Sequence, residues 1–202
     1  MFNCKAKKKE KDMKILQAAC DEFLHKGFDA ASMQAVSDEA QVSKRTLYKY
    51  YPTKEKLYQA LIDMILDRVE DMHSLKYESD KSIEEQIKKT IDYKLNLTMT
   101  DSFITISKIT ISELLKGRVP SQDQLERLTK SESLFIDWIK RAQDEKKITS
   151  QMDPADISEQ FHSILKGQVF WPLLMGLKEK KDIDIEKVKR TTLEFFMNSF
   201  TK

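Results

Sequence analysis

A chain of 202 residues, 40% hydrophobic and 34% charged, has enough apolar material for a packed core behind a heavily solvated surface, which weighs against both a membrane-embedded and a disordered chain. With only four glycines and four prolines among many Lys, Glu, Leu, Ile and Met, it reads as all-helical, a small head plus a larger body. The net charge of +2 is too small to name a partner, but it is unevenly spread. Residues 1–56 hold 12 Lys and Arg against 8 Asp and Glu, leaving 23 against 25 for the rest, so the basic excess lies in the head.

Lys5, Lys7, Lys8 and Lys9 open the chain, yet no apolar stretch follows them, so no signal peptide is read. The longest apolar run, Val169 to Leu177, is too short to span a bilayer and is broken by Pro172 and Gly176. A cytoplasmic location is expected, without membrane partners, and with Cys4 and Cys20 as free thiols. A redox role for Cys20 has no flanking base to support it.

Between Asp12 and Lys26, Ile15, Leu16, Ala19, Phe23 and Leu24 repeat at the spacing of one helix face, and Gly27 stands where a C-terminal cap belongs. Ser32 predicts the N-cap of a short second helix carrying Met33, Val36 and Ala40. Ser43 predicts the cap of a third, which ends before Tyr51-Pro52, and Thr53 that of a fourth, running through Leu57, Leu61, Met64, Ile65, Arg68 and Met72. The polar stretch Lys76 to Lys81 reads as a linker. Beyond it, Ser82 and Glu85 form a capping-box pattern ahead of Ile83, Ile87, Ile91 and Leu95. Further helices are predicted from about Ser102 to Lys116, from Ser121 to Lys147, from Asp153-Pro154 to about Trp171, and from Ile185 to Phe200.

The second and third helices carry the chemistry. Val36, Ala40, Val42 and Leu47 are placed to lock two short helices together, which leaves Lys44, Arg45, Thr46, Tyr48 and Lys49 on the outer side of the third. Lys and Arg neutralise phosphates or reach guanine edges, while Thr and Tyr hydroxyls suit phosphate oxygens or thymine. On spacing alone, an ordinary helix with a solvated charged face has the same pattern.

The ordered stretch Ile15-Leu16-Gln17-Ala18-Ala19, Phe23, Gly27-Phe28, Ala31-Ser32, Val36, Ala40 and Val42-Ser43-Lys44, continued by Thr46-Leu47-Tyr48-Lys49-Tyr50-Tyr51-Pro52-Thr53-Lys54-Glu55-Lys56-Leu57, resembles the N-terminal domain of TetR/AcrR regulators. A weaker resemblance, through Ser112-Glu113, Phe161, Leu165-Lys166-Gly167, Phe170-Trp171-Pro172 and Gly176, is to the AefR-type C-terminal domain of that family. Two positions depart from the pattern. Gln41 stands where the turn usually has glycine, which asks for a non-glycine residue in a left-handed conformation. Arg45 stands where a small residue is common, offering one more base or phosphate contact.

The resemblance implies a DNA-binding domain at 1–56 and an effector-binding and dimerisation domain at 57–202. It implies that Ser32 and the start of the second helix meet phosphate, that Ser43, Tyr48, Tyr50 and Lys54 position the DNA backbone, and that Lys44, Arg45, Thr46 and Lys49 face base edges of double-stranded operator DNA. The tail from Lys5 to Lys11 is placed either along a neighbouring groove or free in solvent. One helix-turn-helix reads too few base pairs for genomic specificity, so a homodimer is expected. The resemblance assigns its interface to the last two helices, with Ile157, Phe161, Ile164, Leu165, Val188, Phe195 and Phe196 as candidates for that interface or for intrachain core. It also implies a pocket for a hydrophobic or amphipathic effector, with Phe103, Phe135, Trp138, Phe170 and Trp171 as candidate lining, together with Met99 and Met175. Ligand binding is expected to swing the heads out of register through the fourth helix, with a coupling of about 1–3 kcal/mol.

No cofactor, metal or catalysis is expected, because His25, His73 and His162 lack partners at metal-ligand spacing and no phosphate loop or nucleophile elbow occurs. His162 is read as a core histidine or a ligand contact. Three readings stay open: a ligand-released repressor, a DNA-binding regulator without small-molecule effector, and a helical small-molecule carrier that does not bind DNA.

Overall fold

The computed structural model describes residues 2–70 and 76–201, with side chains from residue 9 onward except at 131. Met72 and His73, and the side chains of Cys4, Lys5, Lys7 and Lys8, therefore lie outside the description. The described residues contain helices and no strand: α1 (Phe2–Ala30), α2 (Met33–Glu39), α3 (Lys44–Tyr50), α4 (Lys54–Glu70), α5 (Ile83–Thr98), α6 (Asp101–Leu115), α7 (Gln122–Asp144), α8 (Pro154–Leu165), α9 (Trp171–Leu174) and α10 (Ile185–Phe200). Ser32, Ser43, Ser82 and Asp153 each accept a backbone N–H from the first turn of the helix that follows, so the predicted caps form.

Gly27 interrupts the first helix where a cap was expected. At φ +73° it breaks the regular helix within α1, and the chain winds one further turn that closes with Ala31 N–H donating to the Gly27 carbonyl at 3.1 Å. Lys166–Phe170 forms a π-helical turn between α8 and α9, with the Trp171 N–H returning to the Lys166 carbonyl.

The chain folds into two compact units. One gathers residues 1–66 and 105–124. Its core joins Ile15, Phe23 and Phe28 of α1, Val36 of α2 and Leu47 of α3 to Leu57, Leu61 and Leu66 of α4 and to Ile106 and Ile109 of α6. The other unit holds residues 67–104 and 125–202. There α10 packs on α5 and α8 around Ile87, Ile91, Ile139, Phe161, Phe196 and Phe200, a core built on the apolar faces those helices carry every third or fourth residue.

Candidate nucleic-acid interface and cavity

Helix α3 is fixed from below by Leu47, which is fully buried, and from its start by Ser43, whose hydroxyl accepts the Thr46 N–H at 3.1 Å and shares a hydrogen bond with the Thr46 hydroxyl at 2.9 Å. With that face committed, Lys44, Arg45, Tyr48 and Lys49 project outward, Tyr48 at 45% exposure, while Thr46 and Tyr50 are half-buried. The helix contains no acidic residue. The tight turn before it holds Gln41 at φ +53°, the left-handed conformation its position demanded, and the Val42 N–H donates to the Ser37 carbonyl at 3.0 Å.

Other predicted contact residues are partly spent inside the head. The Ser32 hydroxyl accepts the Ala35 N–H at 3.2 Å, and the Ser32 N–H itself donates to the Glu22 carboxylate at 3.0 Å. Lys54 donates to the carbonyls of Asp29 at 2.9 Å and Ala31 at 3.0 Å, and its Nζ stands 4.8 Å from the centre of the Phe28 ring. Two of its three donors thus brace the α1–α2 corner, leaving one for an outside acceptor. Phe28 also receives Arg118 on a ring face at 4.0 Å, and Arg118 is paired with Asp29 at 2.8 Å and Glu113 at 3.1 Å.

The second unit contains a cavity of about 320 Å³. Phe103, Phe135 and Phe170 line it, as do Leu97 and Leu165. Trp138 and Trp171, predicted beside them, lie elsewhere. Trp138 is in the core, edge-on to Tyr77 and stacked on Phe135, and Trp171 is 40% exposed. Met99 is half-buried against the core and Met175 is exposed, and neither reaches the cavity wall. Sequence reasoning missed the polar lining, Lys94, Glu132 and Lys166, and His162 joins them. Burial first, then the charge of Lys166, pushes the Lys94 ammonium down to about 7. Burial and the charges of Lys94 and Lys166 push His162 down to about 3, so its imidazole is neutral.

Two family profiles match this chain: "Bacterial regulatory proteins, tetR family" over residues 15–61, and "AefR-like transcriptional repressor, C-terminal domain" over residues 85–201. The chain belongs to the TetR family. That family is one of DNA-binding transcriptional regulators, a non-enzymatic class. Among similar proteins is the HTH-type transcriptional regulator RutR of Escherichia coli O157:H7, 33% identical over 132 residues, which cover 62% of this chain and 60% of RutR. Another is the uncharacterized HTH-type transcriptional regulator YuxN of Bacillus subtilis, 28% identical over 124 residues, 60% of this chain and 40% of that protein. The chain thus spans less than two thirds of these relatives' lengths. A TetR family regulator from Pseudomonas syringae pv. tomato has the same fold across 94% of this chain and 96% of its own, at a TM-score of 0.70 and 25% identity.

Within this TetR-family chain, most of the predicted dimer-interface residues are committed to the chain's own core. Ile157, Phe161, Leu165, Val188 and Phe196 are buried, Ile164 is half-buried, and Phe195 is 37% exposed with its ring edge-on to Phe200. Cys20 is buried in the head, and burial followed by the Asp21 charge pushes its thiol up to about 11, which keeps it protonated and unreactive. Among the described residues, no cluster of His, Cys, Asp or Glu is arranged to hold a metal ion, and no helix is long and apolar enough to cross a membrane.

Proposed function

We propose that this TetR-family regulator is a repressor that grips double-stranded operator DNA as a homodimer and is released by a hydrophobic or amphipathic small molecule bound in its second unit. The observation that carries the reading is the outer face of α3. Lys44, Arg45 and Lys49 stand exposed on a helix without acidic residues, with Tyr48 among them, above a fully buried Leu47. Such a face neutralises phosphates and presents guanidinium and ammonium groups to base edges in a major groove. Tyr50 and Lys54 position the backbone, Lys54 with its one uncommitted donor. Repression follows the description of the profile that matches residues 85–201.

Dimerisation supplies two half-sites near one helical turn apart, about 34–36 Å. Because Phe161 and Phe196 fill the chain's own core, the self-association face on α8 and α10 falls to Ile164 and Phe195 and the polar residues around them.

The cavity supports the effector. Two helices carry residues of both the head's core and the cavity wall: Leu66 and Val69 on α4, and Ile106 and Phe103 on α6, each pair three residues apart. These two helices are the proposed route by which an occupant biases DNA binding, with a coupling of about 1–3 kcal/mol. The reading is tested by titrating DNA from the chain's own upstream region between 50 and 200 mM salt. Affinity is expected to fall at least about 100-fold, because phosphate neutralisation releases counterions. A salt-independent affinity, equal for scrambled DNA, contradicts operator reading. Ligands that raise the melting temperature yet leave operator affinity unchanged contradict release.

A further inference from the structure

The turn that ends α6 reaches back to the corner between α1 and α2. Gly117, at φ +83°, closes the helix, and the Arg118 N–H donates to the Glu113 carbonyl at 2.9 Å. That turn carries the Arg118 side chain onto the corner. Its guanidinium lies 4.0 Å from the centre of the Phe28 ring and donates to the Asp29 carboxylate at 2.8 Å and to the Glu113 carboxylate at 3.1 Å. The Phe28 N–H, the first after the break at Gly27, donates to Glu113 as well. The end of α6 therefore holds the corner at a backbone N–H, an aromatic ring and an acid.

Lys54 of α4 grips the same corner. Its ammonium donates to the Asp29 carbonyl at 2.9 Å and the Ala31 carbonyl at 3.0 Å, with one donor left over. Asp29 thus gives Lys54 its carbonyl and Arg118 its carboxylate. The division matters, because an ammonium fixed on the carbonyl of an aspartate is within reach of that residue's own carboxylate. The Asp29 side chain is 69% exposed, so packing does not hold the carboxylate away. Other acids at the corner are already engaged. Glu22 accepts from the Ser32 N–H at 3.0 Å and pairs with Lys26 at 3.0 Å, and Glu55 bonds its own N–H and the Thr53 hydroxyl.

We infer that Arg118 is a positioning residue for DNA binding: by holding the Asp29 carboxylate, it keeps the third Lys54 donor free for a phosphate. The inference rests on the DNA-binding reading above and adds to it a residue from outside the helix-turn-helix. Without the guanidinium, the Asp29 carboxylate turns to the Lys54 ammonium, occupies its last donor and sets a negative charge where a phosphate would come. The resulting loss has the character of a lost phosphate contact, uniform across DNA sequences and smaller at high salt.

The test is fluorescence anisotropy of the full chain on DNA from its upstream region, between 50 and 200 mM salt, with a melting curve for every variant. Arg118→Gln is expected to bind about tenfold more weakly at 50 mM salt, with the salt slope lowered by about one per half-site. Adding Asp29→Asn restores affinity to within about threefold of the wild type, and in a Lys54→Met background Arg118→Gln costs less than about twofold. Asp29→Asn alone, which keeps Arg118 on Phe28, is expected to bind at least as tightly as the wild type, and it decides the case even if Arg118→Gln melts early. The positioning role is overturned by undiminished affinity of Arg118→Gln, by no rescue from Asp29→Asn, or by the same loss in the Lys54→Met background. Weaker binding by Asp29→Asn alone overturns it as well. Unchanged affinity of Lys54→Met overturns it too but leaves the α3 face standing, whereas a wild-type protein whose binding ignores salt contradicts the DNA reading itself.

Discussion

Tyr51, at the end of α3, donates its phenolic hydrogen bond to the carboxylate of Asp12 in α1 at 2.7 Å, across 39 residues of sequence. Burial first, and then this bond, raise the phenol well above its ordinary range, so Tyr51 remains a donor throughout the neutral and alkaline range. The bond fixes where α3 sits on α1. Tyr51→Phe leaves a half-buried carboxylate without its donor and is expected to cost about 1–2 kcal/mol in urea unfolding. An unchanged midpoint contradicts this role.

Gln41 at φ +53° separates two effects that sequence comparison merges. Glycine removes the left-handed strain of a side chain but gives back unfolded-state entropy, so Gln41→Gly is expected to lie between neutral and about 1 kcal/mol stabilising. Gln41→Val, β-branched at the same angle, is expected to destabilise by about 1–2 kcal/mol. Thermal melts of the two variants measure the sign directly.

Glu113 is 1% exposed and accepts hydrogen bonds from Lys116 at 2.8 Å and Arg118 at 3.1 Å. Burial alone raises its carboxyl, but the two cations outweigh it and hold the group below the usual carboxylate range. A depressed carboxylate contributes stability that is present above its unfolded value, about 4.3, and is lost as pH falls through its lower folded value. Glu113→Gln is therefore expected to cost about 1–2 kcal/mol at pH 7, with the two proteins converging in acid below about pH 4. A difference independent of pH assigns the cost to shape instead.

Lys94 carries the opposite sign. Its folded value of about 7 lies below its ordinary 10.5, so the folded chain binds fewer protons than the unfolded chain between those limits, and stability rises with pH across them. Lys94→Met is expected to stabilise the ligand-free protein by about 1–3 kcal/mol at pH 6, a value discounted for the head group's remaining access to water. The advantage fades by about pH 10. Denaturant midpoints at the two pH values check it.

The helix starts were legible because capping is local chemistry. Ser32, Ser43, Ser82 and Asp153-Pro154 announce their helices within four residues. The outward residues of α3 were legible for a related reason, since burying Leu47 leaves a seven-residue helix few ways to face. The cavity was not. Periodicity places Trp138 and Phe135 on one helix but does not say which faces space and which faces core. Lys94 borders the apolar face of Ile87, Ile91 and Leu95, where a lysine in sequence reads as solvated. The π-helical turn at Lys166–Phe170, which brings Lys166 and Phe170 to the cavity, depends on packing between distant helices and has no local signature. The same limit applies to α8 and α10, where a face suited to a partner and a face suited to the chain's own core share one pattern, and Phe161 and Phe196 went to the core.

The outer face of α3 is the account's central claim, and fluorescence anisotropy on DNA from the chain's upstream region tests it most directly. Lys44→Glu combined with Lys49→Glu changes two exposed side chains and is expected to leave the melting temperature within about 2 °C, because surface substitutions of this kind stay within about 0.5 kcal/mol. DNA affinity is expected to drop at least about 100-fold, with a shallower salt dependence, since two phosphate-neutralising cations become repulsive anions. A doubly reversed protein that melts normally and binds the same DNA with undiminished affinity contradicts the claim.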